Sequence, residues 1–224
     1  MFSLPRTPVD FQFTLLNVPV HVNGTFWILA AFVTWQVSGS DMSYMIMGMI
    51  AVFISLLVHE FGHALANLRY GYTSQVVLYY LGGFATTSHM APLKRLVVVL
   101  AGPGFGFLLL GLLWLISKTL ESQQVAVHPL LSFGIWWLFL ITLVWNILNL
   151  LPVFPLDGGQ AVQAMCMYFN PVRGALWASM SSFLLAVPIL ALLVYVGQPI
   201  FAVYIAIFGY QSFQEYQERS RRGH

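Results

Sequence analysis

The chain has 224 residues, of which 59% are hydrophobic and only 7% are charged. This composition is typical of a polytopic membrane protein and excludes an ordinary soluble domain. The formal charge of +2 and the lack of a basic stripe with interleaved aromatic residues argue against nucleic-acid binding, and the single cysteine, Cys166, excludes an intramolecular disulfide.

Six apolar stretches follow one another along the chain, most of them near the roughly 20 residues that a membrane-spanning helix requires. We therefore predict an all-α polytopic membrane protein with six transmembrane helices, at residues 22–38, 43–67, 96–116, 129–151, 175–196 and 199–213. Residues 1–21 contain three prolines and no continuous apolar core, so we expect a cytoplasmic or interfacial segment there and no cleavable signal. Residues 214–224 form a basic tail.

The positions of Lys and Arg predict the orientation of these six helices. Only Lys118 falls on one side of the membrane. The other side carries eight basic residues: Arg6, Arg69, Lys94, Arg95, Arg173, Arg219, Arg221 and Arg222. Because cytoplasmic segments carry an excess of Lys and Arg, both termini are predicted to be cytoplasmic.

The second predicted helix contains the sequence Val-His-Glu-Phe-Gly-His at residues 58–63. Residues four apart lie on one face of a helix, so His59 and His63 can offer two imidazole nitrogens to one metal ion, with Glu60 beside it. Zinc held by two histidines and one further ligand keeps a position open for water, lowers the pKa of that water towards ~7 and needs a nearby base. A carboxylate inside a membrane span costs roughly 2.5–3.5 kcal/mol, which makes chance a poor explanation of the motif.

The segment between the second and third predicted helices is rich in β-forming residues. Residues 73–90 include a Gly-Gly pair that suits a turn or bulge. Residues 11–22, in which Val18, Val20 and Val22 alternate with other residues, could pair with them. We predict a small membrane-associated β-hairpin or sheet in this region. A plain cytoplasmic loop remains the alternative.

The fourth predicted helix ends in Asn-Leu-Leu-Pro-Val-Phe-Pro-Leu-Asp-Gly-Gly at residues 149–159. The two prolines break the helix, and irregular backbone at membrane depth is tolerated only where it is buried in protein or lines a watery cavity. The second and fourth predicted helices cross the membrane in the same direction, so this segment, at the end of the fourth, lies in the same leaflet as His59. Asp157 could therefore ligate a metal ion or cap the helix predicted at 158–169, and the two roles are compatible.

These two motifs together resemble the site-2 protease family of intramembrane zinc metalloproteases, which pairs H-E-x-x-H with N-x-x-P-x-x-P-L-D-G. The resemblance implies that His59, His63 and Asp157 bind one zinc ion, that Glu60 is the catalytic base and that Asn149 lines the site near the substrate. It also implies hydrolysis of peptide bonds within or near transmembrane segments of membrane-protein substrates, in the lipid bilayer of a prokaryotic cytoplasmic membrane.

The resemblance also gives the β-region a role in substrate binding. An unwound substrate could add to an exposed strand edge, with a side-chain hydrogen bond from Asn149 to its backbone. The substrate-binding residues predicted on this basis in the β-region are Val76, Leu78, Tyr80, Gly82 and Gly83. The segments outside the predicted spans are shorter than the ~40 residues that an independent domain needs, so we expect no soluble regulatory domain; regulation could come from a membrane partner or from pre-cleavage of the substrate.

The third predicted helix contains Ala-Gly-Pro-Gly-Phe-Gly at residues 101–106, which resembles a family segment with one departure. The asparagine often found three residues after the proline is Gly106 here, which puts in doubt any polar contact from this helix. We expect Gly102, Gly104 and Gly106 to allow close helix packing. A metal or proton transporter and a non-proteolytic scaffold remain the alternative functions, and the sequence leaves the oligomeric state open.

Overall fold

The computed structural model describes residues 8–79, 82–85 and 90–222. Within these ranges the chain forms four strands and seven helices. In chain order they are β1 Phe11–Leu15, β2 Val18–Val22, α1 Gly24–Ser38, α2 Met42–Arg69, β3 Val76–Tyr79, β4 Gly82–Ala85, α3 Pro92–Ser122, α4 Pro129–Asn149, α5 Asp157–Phe169, α6 Gly174–Tyr195 and α7 Pro199–Arg222.

Four of the described helices, α2, α3, α4 and α6, are long and apolar enough to cross a membrane. Helix α1 is apolar but has only 15 residues. Helix α7 has 24 residues, but its second half carries several charged side chains. The described residues therefore support four of the six predicted spans, and the count of six stays a prediction.

The chain divides into two compact units, one made of residues 1–88 and 101–146 and the other of residues 89–100 and 147–224. The described part of the first unit contains a four-stranded sheet in the order β1-β2-β3-β4, together with α1, α2 and most of α3 and α4. Strands β1 and β2 are antiparallel, β2 and β3 are parallel, and β3 and β4 are antiparallel. The predicted pairing of residues 11–22 with the later β-region is confirmed.

This strand order corrects one expectation about the β-region. Strand β3 is paired on both sides, in register Val20–Val76 with β2 and Leu78–Gly83 with β4. The backbone of Val76 and Leu78 therefore lies in the interior of the sheet, because a parallel and an antiparallel neighbour already use its hydrogen-bonding groups. Among the described residues the edge strands are β1 and β4, and Tyr80 lies outside those residues.

The core of the first unit lies where the sheet packs on α1 and α2. Val18, Val20 and Val22 alternate along β2 and are buried, as expected for a strand with one face in the core. They pack with Val76 and Leu78 of β3 and with apolar side chains of both helices. Burying each of these side chains contributes about 1.5–3 kcal/mol, which fixes the sheet against α2.

The second unit is built around the irregular segment that follows α4, with α5, α6 and α7. Val153 is completely buried in an apolar cluster with Ala186 of α6 and Ile205 of α7. The backbone N–H of Phe154 donates to Ser182 Oγ at 3.2 Å, and Ser212 Oγ donates to the carbonyl oxygen of Phe154 at 3.2 Å. Side chains of α6 and α7 thus satisfy the polar groups of non-helical backbone, as membrane depth requires.

Candidate metal centre

His59 and His63 lie one turn apart on α2, and both side chains are buried. Their Nε2 atoms are 3.3 Å apart, so both rings turn the same nitrogen towards one point. This is the geometry expected from their spacing of four residues. Two imidazole nitrogens facing each other at this distance are well placed to share a cation.

Glycines on α2 and α3 let the two helices pack closely beside this pair of histidines. A Cβ on Gly102 would lie 2.2 Å from His63 Nε2, and a Cβ on Gly62 would lie 2.4 Å from the carbonyl oxygen of Ala101. The backbones of α2 and α3 can approach this closely only because both positions are glycine. The expectation of close packing is confirmed for Gly102, whereas Gly104 has open space around its Cβ position.

Glu60 lies next to His59 on α2 and is buried against β4. A Cβ on Gly83 would lie 2.7 Å from Glu60 Cγ and 2.9 Å from Glu60 Oε1. On the same strand, a Cβ on Gly82 would lie 2.4 Å from the ring of Trp145 in α4. The Gly-Gly pair therefore lets the edge strand of the sheet lie directly against the carboxylate of Glu60.

Asp157 is the first residue of α5 and its side chain is only 6% exposed. The helix begins one residue earlier than predicted, and Leu156 occupies the N-cap position without a side-chain capping bond. Asp157 is therefore the first residue of α5 and does not occupy the N-cap position. Its carboxylate instead belongs to a group with His59 and His63, whose ligand atoms all lie within 4.8 Å of one another.

Two imidazole nitrogens and one carboxylate oxygen are a donor set that zinc uses in catalytic sites, where three protein ligands leave one position open. All three side chains are buried, so a cation there would offset the cost of burying the Asp157 carboxylate. These residues therefore fit a metal ion. Asn149, the last residue of α4, is partly buried, and its predicted contact with substrate stays a prediction.

The sequence analysis missed Asn146 on α4. Its side chain is 1% exposed, and its Oδ1 lies 3.1 Å from His59 Nδ1. A carboxamide at membrane depth, one turn before Asn149, was the signal that could have identified it, because such groups are rare in spans and usually bind a polar partner. Gly106 of α3 faces this amide, since a Cβ there would lie 2.1 Å from Asn146 Nδ2.

Comparison with known proteins identified similar sequences and a similar solved structure. No protein-family model matches the chain. The sequence is 26% identical over 155 residues to a zinc metalloprotease of Methanocaldococcus jannaschii, covering 68% of this chain and 44% of that protein. It is 27% identical over 209 residues to Rip3 of Mycobacterium tuberculosis, covering 88% of this chain and 52% of Rip3. The chain thus spans about half the length of the curated relatives it matches.

The solved structure of a site-2 protease from Methanocaldococcus jannaschii has the same fold. It superposes with a TM-score of 0.62 at 23% identity, covering 92% of this chain and 95% of that one. Helices of this length and apolarity, in this fold, define an integral membrane protein. The chain is thus similar in fold to a site-2 protease and similar in sequence to proteins named as zinc metalloproteases.

Proposed function

We propose that this protein is an intramembrane zinc metalloprotease that hydrolyses peptide bonds within or near the transmembrane segments of membrane proteins. The observation that carries the proposal is the buried group of His59, His63 and Asp157, with Glu60 directly after the first histidine. We assign the three grouped residues as ligands of one zinc ion and Glu60 as the catalytic base. The name of the zinc metalloprotease relative supports the choice of metal.

The chemistry of the site follows from these roles. When bound, zinc would act as a Lewis acid on the scissile carbonyl and lower the pKa of the attacking water. Glu60 accepts the proton of that water and passes it to the leaving amine, which avoids releasing an unstable amide anion. Burial of Glu60 between α2 and β4 keeps bulk water away from the carboxylate and fixes its position.

Substrate binding is proposed at the edge of β4 that is not paired with any described strand. A transmembrane substrate hides its carbonyl groups in helical hydrogen bonds, so it must be held in an extended form before attack. Among the described strands β4 lies at an edge, and Gly83 on it lies against Glu60, so a segment added to this edge would pass beside the base. We further propose that Asn149 donates a side-chain hydrogen bond to the substrate backbone.

The orientation of the protein is part of the proposal. Six spans with both termini in the cytoplasm of a prokaryotic cell would place eight of nine basic residues on the cytoplasmic side. Reporter fusions after His224 and near Ser122 test this topology. The first is expected to report a cytoplasmic location and the second an external one, and an external signal from the His224 fusion would reject the six-span arrangement.

The activity is tested with the purified full chain in liposomes and a panel of single-span membrane proteins. Cleavage should occur without added cofactors, stop on treatment with a zinc chelator and return when zinc is added back. The Glu60→Gln variant prepared in the same way is the control for contaminating proteases. A cleavage activity that is the same in this variant, or that a chelator leaves unchanged, would overturn the proposal.

A further inference from the structure

We infer that Asn146 is a positioning residue of the metal centre: its side-chain oxygen orients the His59 ring and fixes the ring proton on Nδ1. His59 then presents the unprotonated Nε2 to the metal. The inference rests on the proposed function in taking His59 as a ligand, and it adds a residue outside both sequence motifs. A glycine on a third helix, Gly106, provides the space that this carboxamide occupies.

The hydrogen bonds around Asn146 determine where the ring proton lies. Asn146 Nδ2 donates to the carbonyl oxygen of Thr142 at 2.7 Å, and a carbonyl can only accept. The other end of the carboxamide, which faces His59, is therefore the oxygen. Since Oδ1 also can only accept, His59 Nδ1 at 3.1 Å must donate, and the lone pair of the ring is left on Nε2.

A second hydrogen bond joins α2 to α4 close to this contact. Thr142 Oγ1 donates to Ser55 Oγ at 3.0 Å, and both side chains are buried. Ser55 precedes His59 by four residues, as Thr142 precedes Asn146, so the two hydrogen bonds are stacked one turn apart. Because Thr142 anchors both contacts, the carboxamide cannot rotate without losing a buried hydrogen bond.

Helix α3 closes the third side of Asn146. A Cβ on Gly106 would lie 2.1 Å from Nδ2, 2.3 Å from Oδ1 and 2.5 Å from Cγ of Asn146. Any side chain at this position would occupy the volume of the carboxamide and push it away from His59. Two residues earlier on the same helix, Gly104 has no atom within 4 Å of its Cβ position. The two glycines form a matched pair for an experiment.

Groups that bind the second nitrogen of a metal-ligating histidine commonly change metal affinity by about 10–100-fold when they are removed. The variants to compare are Asn146→Leu, Gly106→Ala and the control Gly104→Ala, each in the 224-residue chain. Asn146→Leu removes the acceptor while keeping most of the volume. Gly106→Ala leaves the asparagine in place but displaces its amide.

The first measurement is the apparent Kd for zinc, by competition with a chromophoric chelator. We expect Asn146→Leu and Gly106→Ala each to raise the apparent Kd for zinc by about 10–100-fold. The double variant should bind zinc no more weakly than the more affected of the two single variants. Gly104→Ala should stay within about twofold of the starting protein. If both test variants bind zinc as tightly as Gly104→Ala, the inference is wrong.

The second measurement is nitrogen-15 NMR of the histidine-labelled, metal-free protein, which reports the tautomer directly. His59, assigned by comparison with His59→Gln, should be protonated at Nδ1, and this preference should weaken in Asn146→Leu and Gly106→Ala. Protonation at Nε2 in the starting protein would overturn the inference. If the starting protein shows the expected tautomer but does not bind zinc, the positioning role stands and the proposed function falls.

Discussion

Gly83 of the edge strand β4 lies against the side chain of Glu60, so closely that a single added Cβ would come within 2.7 Å of Glu60 Cγ. The sheet and the helix carrying the H-E-x-x-H motif are therefore in direct contact at the carboxylate. The carboxylate of Glu60 and the strand leave no room for a side chain between them. The edge strand is thus part of the wall of the site.

Gly83→Ala tests this contact. The added methyl group must displace either β4 or the Glu60 side chain, and misplacing a catalytic group by about 1 Å can lower the rate about 10²-fold. Zinc content should not change, because the substitution adds no contact to the proposed ligands. Cleavage rate and bound zinc are measured on the same preparation.

The control for Gly83→Ala is Gly111→Ala, where the Cβ position has no neighbour within 4 Å. This variant should cleave at the rate of the starting protein. If Gly83→Ala is folded and cleaves as fast as Gly111→Ala, the contact with Glu60 has no role in the reaction.

Glu60 and Asp157 are both buried carboxylates, and two substitutions separate their proposed roles. Glu60→Gln keeps the side-chain shape and leaves the three proposed ligands intact, so it should retain zinc while losing about 10²–10⁴ in cleavage rate. Asp157→Ala should lower the zinc content itself, since two histidines are one ligand short of a catalytic zinc site. Elemental analysis of both purified variants distinguishes these outcomes. Loss of zinc in Glu60→Gln together with full zinc and cleavage in Asp157→Ala would show that the roles are assigned wrongly.

The sheet topology changes the way substrate docking is tested. A proline at Leu78 would break the ladder of a central strand, so the test belongs on β4. Successive residues of an antiparallel strand point their N–H groups to opposite sides, so one of Phe84→Pro and Ala85→Pro removes an inward N–H and the other an outward one. The variant that still folds should cleave about tenfold more slowly, because it lacks one backbone hydrogen bond to the substrate.

The opposite edge of the same sheet provides the control for this experiment. Gln12→Pro and Phe13→Pro make the same pair of changes in β1, which is separated from β4 by two strands. The variant of this pair that folds should cleave normally. Equal cleavage by the folded β4 and β1 proline variants would exclude docking at the β4 edge.

The sequence predicted those parts of the site that depend on local spacing. The shared direction of His59 and His63 follows from helix periodicity alone, and the strands around residues 11–22 follow from alternating valines. Asp157 lies far from them in the chain, so no local rule joins it to them: the direction of the predicted spans placed it in the same leaflet, and the resemblance of its motif to a known family implied that it is a ligand.

The parts that the sequence did not predict depend on long-range packing. The position of β3 between β2 and β4 requires a strand from before α1 to pair with one from after α2, which periodicity does not specify. Gly106 shows the same limitation, because the sequence shows that this position has no side chain but not which group fills the space. The structure shows that the carboxamide of Asn146, from another helix, occupies the place that a side chain at Gly106 would take.

Two serines hold the irregular segment that precedes Asp157. Ser182 accepts the N–H of Phe154 and Ser212 donates to its carbonyl oxygen, and both serine side chains are fully buried. Replacing either serine by alanine leaves one buried backbone group without its partner, which costs about 1–3 kcal/mol. Ser182→Ala and Ser212→Ala should therefore each lower the thermal unfolding temperature, and the double variant should lower it further.

The matched control for this pair is Ser181→Ala, since Ser181 donates only to the carbonyl oxygen of Ala178 in its own helix. That carbonyl keeps its helical hydrogen bond in the variant, so the unfolding temperature should hardly change. Because Phe154 lies three residues before Asp157, loosening this segment should also weaken zinc binding in the double variant. Unfolding followed by tryptophan fluorescence and zinc competition give the two readouts. A double variant that unfolds at the temperature of Ser181→Ala and binds zinc as tightly would show that the serines do not hold the segment in place.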